Sequence, residues 1–173
     1  MTDWDDILAR YGPRIWRMAR RLLGNAHDAD ECLQEVFLAA WAYSRSKPIR
    51  HWPAFLQVTM TNKALDRLRR DMRAADGRVE MPTEATISSR DPSPEQQAHA
   101  SELAERLRRA LIQLSADEAQ VFTLCCLEDF DHREVAETLG ISVAAVGTRL
   151  HRARNRLRGL LASTESVGCG EEV

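Results

Sequence analysis

An all-α chain of two small helical domains joined by a flexible acidic linker is what the sequence predicts. Three observations carry that expectation. Apolar residues recur at three- and four-residue steps through nearly every periodic segment, and no segment reads as a strand. A Pro- and Ser-rich stretch in the middle breaks the pattern into two halves. At 173 residues, 44% hydrophobic and 29% charged, the composition is that of an ordinary soluble protein with room for two modest cores.

The first half holds three helices. Trp4, Ile7, Leu8, Tyr11, Ile15, Met18, Ala19 and Leu22 lay an apolar stripe along the first, which Gly24 and Asn25 end. The second runs from about Ala26 to Tyr43. Leu33, Phe37 and Trp41 at i, i+4 and i+8 are its expected core stripe, and Asp28, Glu31 and Glu35 lie on another face. After the loop SRSKPIRHWP a third helix runs from Pro53 to Arg73. Pro53 suits its first turn, where a missing N–H breaks no bond. Phe55, Val58 and Leu65 fit a core stripe there.

The stretch AADGRVEMPTEATISSRDPSPEQQ has three Pro and no apolar period, so it reads as a flexible acidic linker of roughly 20 to 25 residues. The expected domains are therefore 1–73 and 99–162, with linker 74–98 between them and a tail at 163–173.

Sharper punctuation marks the second half. Leu103, Leu107, Ala110, Leu111 and Leu114 trace one helix. Ser115 with Glu118 spells a capping box for the next, which carries Val121, Phe122 and Leu124. Asp131 with Glu134 repeats the logic for a short helix ending at Leu139-Gly140. Ser142 then caps a long last helix with Val146, Leu150, Ala153, Leu157 and Leu160 facing inward.

Ala136, Gly140 and Val146 stand at A-x3-G-x5-V. A small Ala lets two helices cross closely, Gly140 permits a left-handed turn, and Val146 locks the second helix on the first. This is helix-turn-helix spacing, and the second helix is basic: Arg149 to Arg158 holds five Arg and no acid. Its start is expected in the major groove of DNA, with Ala145, Thr148, Arg149, His151 and Arg152 outward and the N–H groups near Ser142 available to a phosphate. A second basic segment, Lys63 to Arg73, has five cations against two acids. The formal net charge of −2 arises because the acids gather elsewhere, in Asp28 to Glu35 and in the linker.

Other chemistries find little support. Cys32, Cys125, Cys126 and Cys169 form no CxxC pair and have no His at zinc spacing, so no metal or cofactor is expected. No Gly-rich phosphate loop or nucleophile–base constellation appears, so no enzyme is expected. No apolar run approaches the roughly 20 residues of a membrane span. The acidic, amphipathic start MTDWDDILARYG is not a signal or transit peptide, so the default expectation is cytoplasmic.

These blocks together resemble the extracytoplasmic-function sigma factors of bacterial RNA polymerase, in the sigma-70 family. DADECLQEVFLAAW is similar to regions 2.1–2.2, PAFLQVTMTNKALDRLRR to regions 2.3–2.4, and LSADEAQVFTLCCLEDFDHREVAETLGISVAAVGTRLHRARNRL to region 4. The resemblance implies a dissociable specificity subunit with three partners. Core RNA polymerase is held through its β′ clamp and β flap, promoter DNA through the −10 and −35 elements, and an anti-sigma factor regulates the whole.

Carried over by residue, Asp28, Asp30, Glu31, Gln34 and Glu35 match the clamp-binding block. Trp52 and Phe55 match the place where the family handles unstacked −10 bases, with Asn62, Lys63, Arg67, Arg69 and Arg70 toward the promoter strand. Ser142, Ala145, Thr148, Arg149, His151 and Arg152 match the −35 reader. Two departures stand out: Gly147 replaces a common Lys or Arg, and E-D-F-D-H replaces a common G-L-S before the motif. A stand-alone helix-turn-helix regulator is the competing class; the Q-E-V-F block and the basic third helix count against it.

Overall fold

The computed structural model describes residues 3–75 and 94–165. Its helices are α1 (Trp4–Leu23), α2 (Ala26–Ser44), α3 (Trp52–Ala75), α4 (Pro94–Ile112), α5 (Ala116–Phe122), α6 (His132–Leu139) and α7 (Val143–Glu165). A π-helical turn, Thr123–Leu127, continues α5. The chain divides into two compact units, one built on α1–α3 and the other on the remaining helices. Residues 76–93 of the expected linker, and residues 166–173 of the expected tail with Cys169 among them, lie outside the described residues.

Local chemistry sets the helix ends of the first unit. The Asp3 carboxylate accepts the N–H groups of Asp5 and Asp6 at 3.1 and 3.2 Å and so starts α1. Gly24 ends it at φ 86°, a left-handed conformation that glycine adopts without a Cβ clash. Asn25 is already the cap of α2, its side chain accepting from the Asp28 N–H at 2.8 Å. The two helices are thus joined by two residues.

Ile15, Met18 and Leu22 of α1 and Leu56, Met60 and Leu65 of α3 form the fully buried centre. Phe55 and Val58 are only half-buried. The share of α2 differs from the sequence expectation. Its buried row is Ala29, Cys32, Val36 and Ala40, whereas Leu33 and Phe37 are half-buried and Trp41 is 47% exposed. The reason is packing. Helix α2 touches both α1 and α3, and small side chains along that seam let three backbones approach while bulky ones are displaced to the flanks. Cys32 is part of the seam, 3.4 Å from the Met60 sulfur, and burial pushes its thiol up to about 11.

In the second unit α7 packs on α5 and α4. The capping box at Ser115 and Glu118 is present. Asp131 accepts the N–H groups of Arg133 and Glu134 at 2.7 and 2.9 Å, and Glu134 accepts the Asp131 N–H at 2.8 Å. Ser142 caps α7 through the Ala145 N–H at 3.1 Å. Gly140 sits at φ 65°, Ala136 and Val146 are buried, and Leu150, Ala153 and Leu157 face inward as the pattern requires. Leu160 is half-buried and Leu103 exposed. The π turn has no sequence signature; the Glu128 N–H reaches five residues back to the Thr123 carbonyl at 3.1 Å.

Candidate nucleic-acid and polymerase interfaces

The outward face of α7 follows from its inward one. With Val146, Leu150, Ala153 and Leu157 buried, the opposite side presents Ala144, Thr148, His151, Arg152 and Asn155, all exposed. The Thr148 hydroxyl donates to the Ala144 carbonyl at 3.0 Å, leaving its lone pairs and methyl for a ligand. His151 and Asn155 pair side chain to side chain at 2.9 Å. Arg152 has no ion pair among the described residues.

The other expected −35 residues are placed differently. Ala145 and Arg149 are half-buried on the flank, where Arg149 meets Asp117 of α5 at 2.9 Å. The Ser142 hydroxyl is engaged as the cap. Sequence reasoning missed Ala144 and Asn155, though each stands four residues from a residue it did select.

The later arginines are partly committed to the fold. Arg156 bonds the buried Glu118 carboxylate at 3.0 Å, Arg154 lies 3.5 Å from the Cys126 sulfur, and Arg158 donates to the Asn155 side chain at 3.1 Å. Burial alone would raise the Glu118 pKa. The Ser115 N–H, the Ser115 hydroxyl and Arg156 outweigh it and hold the carboxyl below its usual range.

In the first unit the acidic and basic candidate sets meet each other. Arg67 of α3 bonds Asp28 and Glu31 of α2 at 2.6 Å each, and Lys63 bonds Glu35 at 2.9 Å. Asp71 lies 3.9 Å from Arg67, and Arg69 pairs with Asp66 at 3.1 Å. The Lys63 hydrogen bond holds the Glu35 carboxyl below its usual range against the opposing effect of burial. Asp30 accepts the Trp16 indole N–H at 2.6 Å. Gln34, Asn62 and Arg70 are exposed. His27, Asp28 and Glu31 come close enough to hold a cation, but the Arg67 guanidinium already compensates both carboxylates.

The aromatic candidates are half-buried and engaged. Trp52 stands edge-on to Trp4 at 5.3 Å, and Phe55 packs on Tyr43 at 4.9 Å. A feature that sequence reasoning did not foresee continues the Gln34 row along α2: Leu38 is 64% and Trp41 47% exposed, with the Arg45 guanidinium 4.9 Å over the Trp41 ring. The signal was available, because Ala29, Cys32, Val36 and Ala40 also keep helical spacing and leave Leu38 and Trp41 outside. Among the described residues, no helix is long and apolar enough to cross a membrane.

The two units correspond to two known sequence families. Residues 7–74 match Sigma-70 region 2 and residues 104–157 match Sigma-70, region 4. The chain is 33% identical over 170 residues to the ECF RNA polymerase sigma factor SigE of Mycolicibacterium smegmatis, covering 96% of this chain and 64% of that protein. It is 30% identical over 161 residues to the RNA polymerase sigma factor CnrH of Cupriavidus metallidurans, covering 90% and 84%. Among solved structures, the sigma factor RpoE of Bartonella quintana, in complex with the anti-sigma factor NepR, matches with a TM-score of 0.57 at 25% identity, over 94% of this chain and 98% of that one. The chain belongs to the extracytoplasmic-function sigma factors of the sigma-70 family, which are transcription initiation factors.

Proposed function

We propose that this chain docks on core RNA polymerase and directs it to one class of promoter. Residues 1–73 act at the −10 element and 99–162 at the −35 element, with 74–98 as the acidic linker. The observation that supports this most is the exposed row Ala144, Thr148, His151, Arg152 and Asn155 on a capped helix-turn-helix, within a chain that also carries region 2. Arg152 is the main cationic contact of that row, and Arg149 contributes after leaving Asp117. Side chains that are few, short and partly engaged with one another make a weak reader. The promoter is therefore held by both units and by polymerase together.

The polymerase-binding surface is α2. Asp30 and Gln34 lie beside the exposed Leu38 and Trp41, which supply an apolar anchor of the kind that dominates interface energetics. Asp28, Glu31 and Glu35 supply charge. On the DNA side Arg70 and Asn62 are exposed on α3, and Lys63, Arg67 and Arg69 are drawn from their ion pairs. Trp52 and Phe55 give up their aromatic neighbours to unstacked bases, a contact worth about 1–3 kcal/mol per base. Because RpoE is held by an anti-sigma factor in its solved complex, the same class of partner is the expected regulator here, acting in the cytoplasm.

Run-off transcription with purified core polymerase tests the reading. The expected result is a discrete start site that appears only when this chain is added. Transcripts no more specific than those of core enzyme would refute it.

A further inference from the structure

Two cysteines stand side by side in the π turn Thr123–Leu127, and neither enters the contacts proposed above for DNA and polymerase. Cys125 and Cys126 are both half-buried and free of disulfides. The Arg154 guanidinium of α7 donates to the Cys126 sulfur at 3.5 Å and so sets a cation beside it. Burial, by contrast, pushes the thiols of Cys125 and Cys32 up to about 11, which keeps both protonated at neutral pH. Arg154 also lines a groove of about 480 Å³, within the roughly 300–1,000 Å³ of small-molecule sites. Leu107, Phe122, Leu157 and Leu161 give that groove an apolar lining. Arg158 lines it one turn beyond Arg154, ~6 Å along the helix. Among the described residues no acid lines the groove, and neither arginine has an ion pair.

We propose that Cys126 is a modification site for low-molecular-weight disulfides that carry carboxylates, the class to which oxidised glutathione belongs. The Cys126 thiol gives its proton to solvent, and its sulfur attacks one sulfur of the small disulfide. A bond to the Cys126 sulfur forms as the S–S bond of the reagent breaks, and the other half leaves as a thiolate that takes a proton from solvent. Cys126 is oxidised and the departing half is reduced, so no further oxidant enters. The attached half lies over the groove with its carboxylates on Arg154 and Arg158, in charge-assisted hydrogen bonds. Cys125 does not expel it. Consecutive Cα atoms are about 3.8 Å apart, short of the roughly 4.4–6.8 Å that a disulfide spans, so a bridge between the neighbours would break the turn. The mixed disulfide therefore persists.

The test incubates the full chain with oxidised glutathione and, in parallel, with the neutral 2-hydroxyethyl disulfide. Intact mass gives the rate of adduct formation, and peptide mapping gives its place. The glutathione adduct is expected on the peptide that holds Cys125 and Cys126, to survive Cys125→Ser and to vanish with Cys126→Ser. Arg154 acts on the sulfur as well as on the carboxylates, so the ratio of the two rates is the measure of carboxylate recognition. In Arg154→Ala/Arg158→Ala the ratio of glutathione to neutral rate is expected to fall roughly tenfold, the low end of what local charge does to a rate. Arg10→Ala/Arg17→Ala, which removes the same charge from the exposed face of α1, should leave the ratio unchanged. Should calorimetry show the groove variant unfolded, Arg158→Ala alone decides by the same ratio. An equal fall in the α1 control, an unchanged ratio in the groove variant, or an unmodified Cys126 beside labelled cysteines elsewhere overturns the proposal. So does a disulfide from Cys126 to another cysteine of the chain in place of the adduct.

Discussion

Gly147 gives the sharpest quantitative prediction. It lies inside α7 and is not among the positive-φ glycines, so its backbone makes no demand that alanine cannot meet. A Cβ built there meets nothing within 4 Å. Gly147→Ala should therefore add helix propensity without a clash, a gain of about 0.5–1 kcal/mol. For a unit of this size, 1 kcal/mol moves the midpoint by roughly 4–8 °C, so the second unit should melt about 2–8 °C higher. Differential scanning calorimetry of the full chain reads this directly. Gly140→Ala is the counterpart. At φ 65° a Cβ is strained by about 1–2 kcal/mol even though the space around it is open, so its midpoint should fall. If Gly147→Ala fails to rise, or moves in the same direction as Gly140→Ala, this glycine has a structural role in the free chain that its helical backbone and open surroundings do not account for. Gly147→Lys should further tighten binding to −35 duplex and steepen the salt slope by about 0.9 for one added phosphate contact.

Three other outcomes are expected. Glu118 has a depressed pKa, so its stabilising contribution is present above the ordinary value of 4.5 and is lost as pH falls through the folded value; the second unit should lose stability below pH 4.5, and Glu118→Gln should flatten that fall in a calorimetric pH series. Leu56→Ala removes a fully buried side chain at the centre of the first unit and should cost about 2–5 kcal/mol in urea unfolding followed at that unit. Trp41→Ala should leave the melting of the first unit within about 0.5 kcal/mol of wild type, as a surface substitution does, yet weaken association with core polymerase in a pull-down.

Seven helices were legible from period and caps, because both are local properties of the chain. Ser115, Asp131 and Ser142 each act within three residues, and their caps stand where the sequence put them. What was not legible depends on partners distant in sequence. The resemblance directs Lys63 and Arg67 toward the promoter strand, but carboxylates that hold them in the free chain are 28 and 39 residues away. The seam of α2 was misassigned for a related reason. Size favoured Leu33, Phe37 and Trp41, whereas a helix touching two neighbours at once is selected for smallness. On α7 the outward row was half found, since Thr148, His151 and Arg152 follow from helical phase. The flank position of Arg149 depends on where Asp117 lies.

The caps of the second unit also bear on how it folds. Contacts that span three residues close no long loop, so they need not wait for a core. Helix starts of this kind form on the scale of about 0.1–1 μs, while helices as short as α5 and α6 remain marginal until something packs on them. During synthesis, α4 to α6 leave the ribosome before α7, and α7 supplies the surface on which α4 and α5 pack. The start of α7 is thus set by a local contact, and α7 itself then completes the core of the unit.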